Sequence, residues 1–122
     1  MPYSDTFKDH LANPRGAGEL DRPDALADET NPVCGDRLVL TLRLRDGSIE
    51  AARFLAYGCP PTLACGSALA SLLEGMTIED ARRLTRHDLT RALGGLPARK
   101  QHAAALALET LHAALDAAES KP

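Results

Sequence analysis

With 122 residues, the chain is long enough for one domain with a modest core, and we predict a single domain over residues 1–122. Its 14 basic and 17 acidic side chains are interspersed and give a formal net charge of -3, which argues against a nucleic-acid surface. No apolar run approaches the ~18 residues of a membrane-spanning helix. No leader pattern opens the chain, and three cysteines without a disulfide framework favour a cytosolic protein with reduced thiols.

The first third of the chain predicts a short helix followed by a long loop. Ser4 or Asp5 is placed to cap a helix that runs to about Leu11, and the proline that follows cannot continue it. Residues 16–32 are rich in Gly, Pro, Asp and Glu and have no sustained period. We interpret them as a loop with a short edge strand near residues 25–27.

Residues 37–57 predict a β-hairpin. Leucines at alternate positions of residues 38–44 give strict alternation, which is typical of a half-buried strand. Asp46-Gly47 follows, and this pair is a strong signal for a two-residue turn because both positions favour positive φ. The returning strand, residues 48–57, is less regular.

The register of this hairpin decides which residues meet across it. The two-residue turn pairs Arg45 with Ser48. If the ladder stays regular from there, Cys34 lies opposite Cys59, with α-carbons ~5 Å apart. That register places Arg53 on the leucine face, whereas a slip of one residue instead buries Ala52, Phe54 and Ala56. In both registers the two thiols lie at the same end of the sheet.

The second half of the chain predicts helices over about residues 63–74, 77–84, 85–93 and 98–118. Thr and Asp residues three apart begin the second and third of these and predict capping boxes. The order of elements therefore predicts an α+β fold, in which a small antiparallel sheet packs against several helices and the C-terminal helix is long.

Cys34, Asp36 and Cys59 gather at one end of the predicted hairpin. Thiolates, carboxylates and imidazoles bind tetrahedral zinc, and thiolates also hold iron–sulfur clusters. His102 is the natural fourth ligand, because it opens the last helix with a helical phase that faces outward. The alternative is that Cys34 is a small hydrophobe in a turn, since free cysteine is among the most buried residue types.

Other reactive side chains have simpler interpretations. Cys65 lies inside an apolar helix and is interpreted as inert core. His10, His87 and His112 are interpreted as solvated, on charged surfaces or in a helix cap. A thiol enzyme with Cys59 as nucleophile and a nearby histidine as base ranks last, because no oxyanion-hole or substrate-pocket signature accompanies it.

Several segments match a known family in residue type and order: Tyr3-Ser4, His10, Asn13-Pro14-Arg15, Asn31-Pro32-Val33-Cys34-Gly35-Asp36, Ala52-Arg53-Phe54, Tyr57-Gly58-Cys59 and Leu96-Pro97-Ala98-Arg99-Lys100. On these motifs the chain resembles, over nearly its full length, the U-type iron–sulfur cluster scaffolds, namely IscU, SufU and the N-terminal domain of NifU.

The resemblance implies a binding site, a cargo and partners, but no enzymatic turnover. By matching position, the implied ligands of a transient [2Fe–2S] cluster or of zinc are Cys34, Asp36, Cys59 and His102. A cysteine desulfurase would supply the sulfur and apo-proteins would accept the cluster. Residues 96–100 partly resemble the Leu-Pro-Pro-Val-Lys segment that an Hsp70-type chaperone recognises in IscU. A monomer or a weak homodimer is expected.

The sequence departs from the resemblance at the family's third cysteine. Alignment of the last helix places Ala103 at that position, or His102 if one residue is skipped. In the family this cysteine is associated with accepting sulfur as well as with ligation. The alternative function is therefore a homologue that no longer builds clusters and has structural zinc or a regulatory, desulfurase-docking role.

Overall fold

The protein is described by a computed structural model that covers residues 3–119. Its elements are α1 (Asp5–Ala12), β1 (Ala25–Thr30), β2 (Arg37–Arg45), β3 (Ser48–Tyr57), α2 (Pro60–Leu73), α3 (Ile78–Arg82), α4 (Arg86–Ala92) and α5 (Gln101–Glu119). Within the described range the strands form one antiparallel sheet in the order β1-β2-β3, which confirms the predicted α+β fold with an edge strand and a long C-terminal helix. The prediction that no leader pattern opens the chain rests partly on Met1 and Pro2. These two residues lie outside the described residues, as do residues 120–122.

β2 is the central strand and is buried on both faces. Its leucine face packs against α2 and α5, and its most buried side chains there are Leu38, Leu40 and Leu42. On the opposite face, Thr41 is only 1% exposed. The loop before β1 contacts this face, since the Leu20 N–H donates to Thr41 Oγ1 at 3.1 Å. The prediction of a half-buried strand is therefore wrong for the middle of the second face, although the two ends of that face are exposed.

The register predicted at the hairpin turn is kept for two pairs and then slips. Arg45 pairs with Ser48, as predicted. Arg43 pairs with Ala51, so Glu50 is the extra residue of a β-bulge.

The slip decides which side chains of β3 are buried, and the end of the ladder decides where the two thiols lie. Beyond the bulge, Ala52 and Phe54 lie on the leucine face and are at most 1% exposed. The ladder ends before the turn that carries Cys34, so the predicted pairing of Cys34 with Cys59 across the sheet is wrong. The two cysteines still lie at the same end of the sheet, because Cys34 is in the turn before β2 and Cys59 is the residue before α2.

The helices begin at signals that are local in the sequence. Thr85 and Asp88 form the predicted capping box of α4. α2 begins at Pro60 rather than near residue 63, because proline fits the first helical positions, where its missing N–H would have no intrahelical partner. No helix in the described part of the chain is long and apolar enough to cross a membrane. The cytosolic location and the single domain stay predictions.

His10 is buried, so the prediction that it is solvated is wrong. It is 8% exposed, and its Nδ1 lies 2.6 Å from Ser67 Oγ of α2. The Arg15 N–H donates to the same hydroxyl at 2.8 Å, which leaves the hydroxyl proton for Nδ1 of a neutral imidazole. Burial lowers the pKa of His10, and the Arg15 charge lowers it further against the opposing effect of Asp9.

Lowering the pH from 7.5 to 5.5 is expected to destabilise the protein through His10, by no more than about 1.4 kcal/mol. Its folded pKa is depressed, so the unfolded chain takes up the proton first and stability falls as the pH drops through the unfolded pKa. The measurement is the free energy of unfolding in urea at both pH values. His10→Asn keeps an acceptor for Ser67 and should flatten the pH dependence. An equal change of unfolding free energy in the two proteins would contradict the assignment.

Gly66 lets α2 approach the sheet closely. A Cβ at this position would lie 2.5 Å from Cδ2 of Phe54, whose ring is in the core. Glycine is otherwise unfavourable in a helix interior, so the close approach explains its presence there.

Gly66→Ala is expected to destabilise the protein. The steric overlap costs about 1–3 kcal/mol, which exceeds the ~1 kcal/mol that alanine gains over glycine in helix propensity. The urea midpoint measures the effect. Ser71→Ala, on the exposed face of the same helix, should change stability by less than about 0.5 kcal/mol. A stabilised Gly66→Ala variant would show that the helix does not need this contact.

Candidate metal centre

The four predicted ligands come from three segments that meet at one end of the sheet. Cys34 and Asp36 lie between β1 and β2, Cys59 is the N-cap residue of α2, and His102 is in the first turn of α5. Donor atoms of Cys34, Asp36 and His102 lie within 4.8 Å of one another. Cys59 is not a member of that three-way cluster, but its Sγ is 2.9 Å from Asp36 Oδ2. Asp36 therefore links the two thiols.

A tight turn presents Cys34 to solvent. Asn31 Oδ1 accepts the N–H groups of Val33 at 2.9 Å and Cys34 at 3.4 Å, which is an Asx turn. The turn is closed by backbone hydrogen bonds from Gly35 to Asn31 and from Asn31 to Asp36. Cys34 is exposed, so the alternative of a buried small hydrophobe is wrong.

Asp36 is the centre of the cluster. It is 6% exposed, and its Oδ2 accepts the Cys59 thiol at 2.9 Å and the Thr62 hydroxyl at 2.8 Å. Burial by itself would raise the pKa of Asp36, but side-chain hydrogen bonds from Cys59 and Thr62 and a backbone hydrogen bond from Cys59 hold that pKa below its ordinary value. The carboxylate is therefore ionised at neutral pH and available as an oxygen donor.

His102 faces the cluster through Nε2, which lies 3.9 Å from Asp36 Oδ2. Its Nδ1 is 3.3 Å from the Arg99 carbonyl oxygen, in the 3₁₀ turn that leads into α5. With the proton assigned to Nδ1, that nitrogen donates to the carbonyl and the Nε2 lone pair faces Asp36. A backbone partner of this kind fixes the ring of a metal-binding histidine. The side chain is 34% exposed, so a partner can reach it.

Thr62 and Gly58 contribute to the site and were missed from the sequence. Thr62 is 1% exposed and donates to Asp36. Gly58 packs against Asp36 so closely that a Cβ would lie 2.2 Å from Oδ1. The spacing of Thr62 from Cys59, three residues at a helix start, could have indicated the hydroxyl, but the helix was predicted to begin after it.

The third cysteine of the chain is not part of the cluster. Cys65 is fully buried, and this burial, with a smaller effect of Cys59, raises the pKa of its thiol to about 12. The prediction of inert core is confirmed for Cys65. Ala103, one of the two residues that the resemblance matches to the family's third cysteine, is 1% exposed. Among the described residues, the convergent donors are therefore one thiol, one carboxylate and one imidazole, and the Cys59 thiol is hydrogen-bonded to the carboxylate.

Comparison with known proteins identifies the family of the chain. The profile of the NifU-like N-terminal domain matches residues 2–122. The chain belongs to this family. The family is one of iron–sulfur cluster assembly scaffolds, and the predicted resemblance is confirmed.

The relatives differ in length. The iron–sulfur cluster assembly scaffold protein IscU of Escherichia coli is 34% identical over 125 residues, which cover 99% of this chain and 97% of that protein. The bifunctional protein NifU/MnmA of Rubrobacter xylanophilus is 44% identical over 116 residues, but the chain spans only 24% of its length. The crystal structure of an N-terminal NifU-like protein from Brucella abortus shares the fold, with a TM-score of 0.77 at 20% identity over 98% of this chain and 95% of that one.

Proposed function

We propose that this protein receives a [2Fe–2S] unit, or the iron for one, on a mixed ligand set and passes it to an acceptor protein. The proposed ligands are Cys34, Asp36, Cys59 and His102. The observation that carries the proposal is the convergence of Cys34, Asp36 and His102 donor atoms within 4.8 Å, with the Cys59 thiol hydrogen-bonded to the same carboxylate.

The donor chemistry fits an iron–sulfur unit as cargo. Thiolates hold these clusters, and histidines replace cysteines on one iron of Rieske centres. Cys34 and His102 are accessible from solvent, which a protein that exchanges its cargo requires. The proposed role is therefore binding and transfer rather than turnover of a substrate.

The partners follow from the family and stay proposals. A cysteine desulfurase would deliver sulfur, and apo-proteins would accept the completed unit. Residues 96–100 end two positions before His102, so an Hsp70-type chaperone bound there would lie beside the site. The monomer or weak homodimer also stays a prediction.

A second candidate function is favoured by the alanine at position 103. The four donors match the number that tetrahedral zinc takes from Cys, His and Asp side chains. Ala103 is buried and offers no third thiolate for a cluster. A homologue that binds zinc structurally, or docks to a desulfurase as a regulator, would need no more than these donors.

Anaerobic reconstitution with iron, sulfide and a desulfurase separates the two functions. The scaffold function predicts a visible iron–sulfur chromophore and stoichiometric iron by metal analysis. It also predicts that an added apo-ferredoxin takes the cluster, so that the chromophore moves from this protein to the ferredoxin. Tightly held zinc with no chromophore under any of these conditions would favour the second function.

A further inference from the structure

Thr62 lies between two of the proposed ligands and is not itself a ligand. It is the third residue of α2 and is 1% exposed. Its Oγ1 donates to Asp36 Oδ2 at 2.8 Å and is 3.5 Å from Cys59 Sγ. A buried hydroxyl in this position contacts the carboxylate and the thiol at once.

The start of α2 explains why this hydroxyl is needed. A helix N-terminus usually offers backbone N–H groups to a carboxylate. In α2 the first two positions are Pro60 and Pro61, which have no N–H. The Thr62 N–H is directed to the Cys59 carbonyl at 3.0 Å. The backbone hydrogen bond that Asp36 receives comes from Cys59, before the two prolines, and the Cys59 thiol and the Thr62 hydroxyl are its side-chain donors.

The two side-chain donors to Asp36 differ in what metal binding does to them. The Cys59 thiol loses its proton when the sulfur becomes a thiolate ligand, so it can no longer donate to the carboxylate. The Thr62 hydroxyl keeps its proton. After metal binding, Thr62 is the side-chain donor that still holds Asp36 Oδ2.

We propose that Thr62 is a positioning residue of this centre, whose hydroxyl holds the Asp36 carboxylate beside Cys59 with and without bound metal. The inference rests on the proposed function in that these side chains are taken to bind metal. Hydrogen-bond partners of metal ligands fix ligand geometry, and their loss typically lowers metal affinity by about 10–100-fold.

The test compares Thr62→Val, which keeps the shape and removes the hydroxyl, with Thr62→Ser, which restores the hydroxyl. Thr110→Val is the matched control, because Thr110 is also fully buried but its hydroxyl donates to the Leu106 carbonyl within α5. Co²⁺ is the probe, since thiolate-to-cobalt charge-transfer bands report thiolate ligation and d–d bands report geometry. Competition with a chelator gives the affinity, and circular dichroism confirms folding.

Thr62→Val is expected to bind Co²⁺ about 10–100-fold more weakly, with altered d–d bands. Thr62→Ser should recover most of the affinity, and Thr110→Val should bind like the unmodified protein. Equal affinity and identical spectra for Thr62→Val would overturn the inference and leave the proposed function standing. An equal loss in Thr110→Val would also overturn it, because the effect would then be one of general stability.

A second measurement uses the metal-free protein and does not depend on the proposed function. Alkylation of Cys59 is followed by peptide mass mapping, with exposed Cys34 as the internal reference. Without the Thr62 hydroxyl, Asp36 is expected to move away from Cys59, which frees the thiol from its hydrogen bond to the carboxylate. Thr62→Val should therefore raise the ratio of the Cys59 rate to the Cys34 rate several-fold, and Thr62→Ser should not. An unchanged or lower ratio overturns the inference. If the unmodified protein binds no Co²⁺ but the ratio rises, Thr62 positions Asp36 and the proposed function is what fails.

Discussion

Replacing either Cys34 or Cys59 with alanine is expected to abolish the chromophore of the reconstituted protein and to leave its fold intact. Cys34 is exposed in its turn, so its side chain contributes little packing. Cys59 is the N-cap residue of α2 but makes no side-chain capping hydrogen bond, so alanine there removes little beyond the hydrogen bond to Asp36, about 1 kcal/mol. Absorption spectra and iron content measure the loss of the site, and urea denaturation measures the small change in stability.

Cys65→Ala should show the opposite behaviour. This thiol is fully buried in α2, so its removal leaves a small cavity and costs about 1 kcal/mol of stability. It lies outside the donor cluster, so the chromophore should remain. A chromophore that depends on Cys65, or that survives the loss of Cys34, would contradict the proposed ligand set. His102→Ala tests the fourth ligand in the same assay, where unchanged metal affinity would remove it from the set.

The elements predicted correctly are those whose signals are local. The alternation of β2, the Asp46-Gly47 turn and the Thr85–Asp88 capping box each depend on residues within a few positions of one another. Cys34 and Asp36 were likewise brought to one end of the sheet by the turn that precedes β2. Such features are set by interactions between near neighbours in the sequence, so the sequence pattern is enough to predict them.

The wrong predictions concern features that are set by contacts between residues far apart in the sequence. Both faces of β3 carry apolar residues, so only packing against α2 selects the slipped register and the bulge at Glu50. His10 stands among charged residues, and its partner Ser67 is 57 positions away. Prolines fit the first positions of a helix, and the prediction that this helix begins near residue 63 left Thr62 outside it.

Gly58→Ala is expected to damage both the fold and the site. Gly58 has φ +139, a backbone conformation that is strained for any other residue. A Cβ there would lie 2.2 Å from Asp36 Oδ1 and 2.5 Å from its Cγ, so the carboxylate must leave its place against the start of α2. Backbone strain and overlap together are expected to cost about 2–4 kcal/mol. Displacing Asp36 should also weaken Co²⁺ binding by at least as much as Thr62→Val does, since it moves a ligand rather than its support.

Gly75→Ala is the matched control for the cost of backbone strain at a positive φ. Gly75 also has positive φ, +86, but a Cβ there meets nothing within 4 Å. It should therefore cost only the strain of about 1 kcal/mol and leave Co²⁺ affinity unchanged. The difference between the two variants, in unfolding free energy and in metal affinity, isolates the contact between Gly58 and Asp36. If the two variants are equally stable and bind Co²⁺ equally, Asp36 is not held where the proposed site requires it.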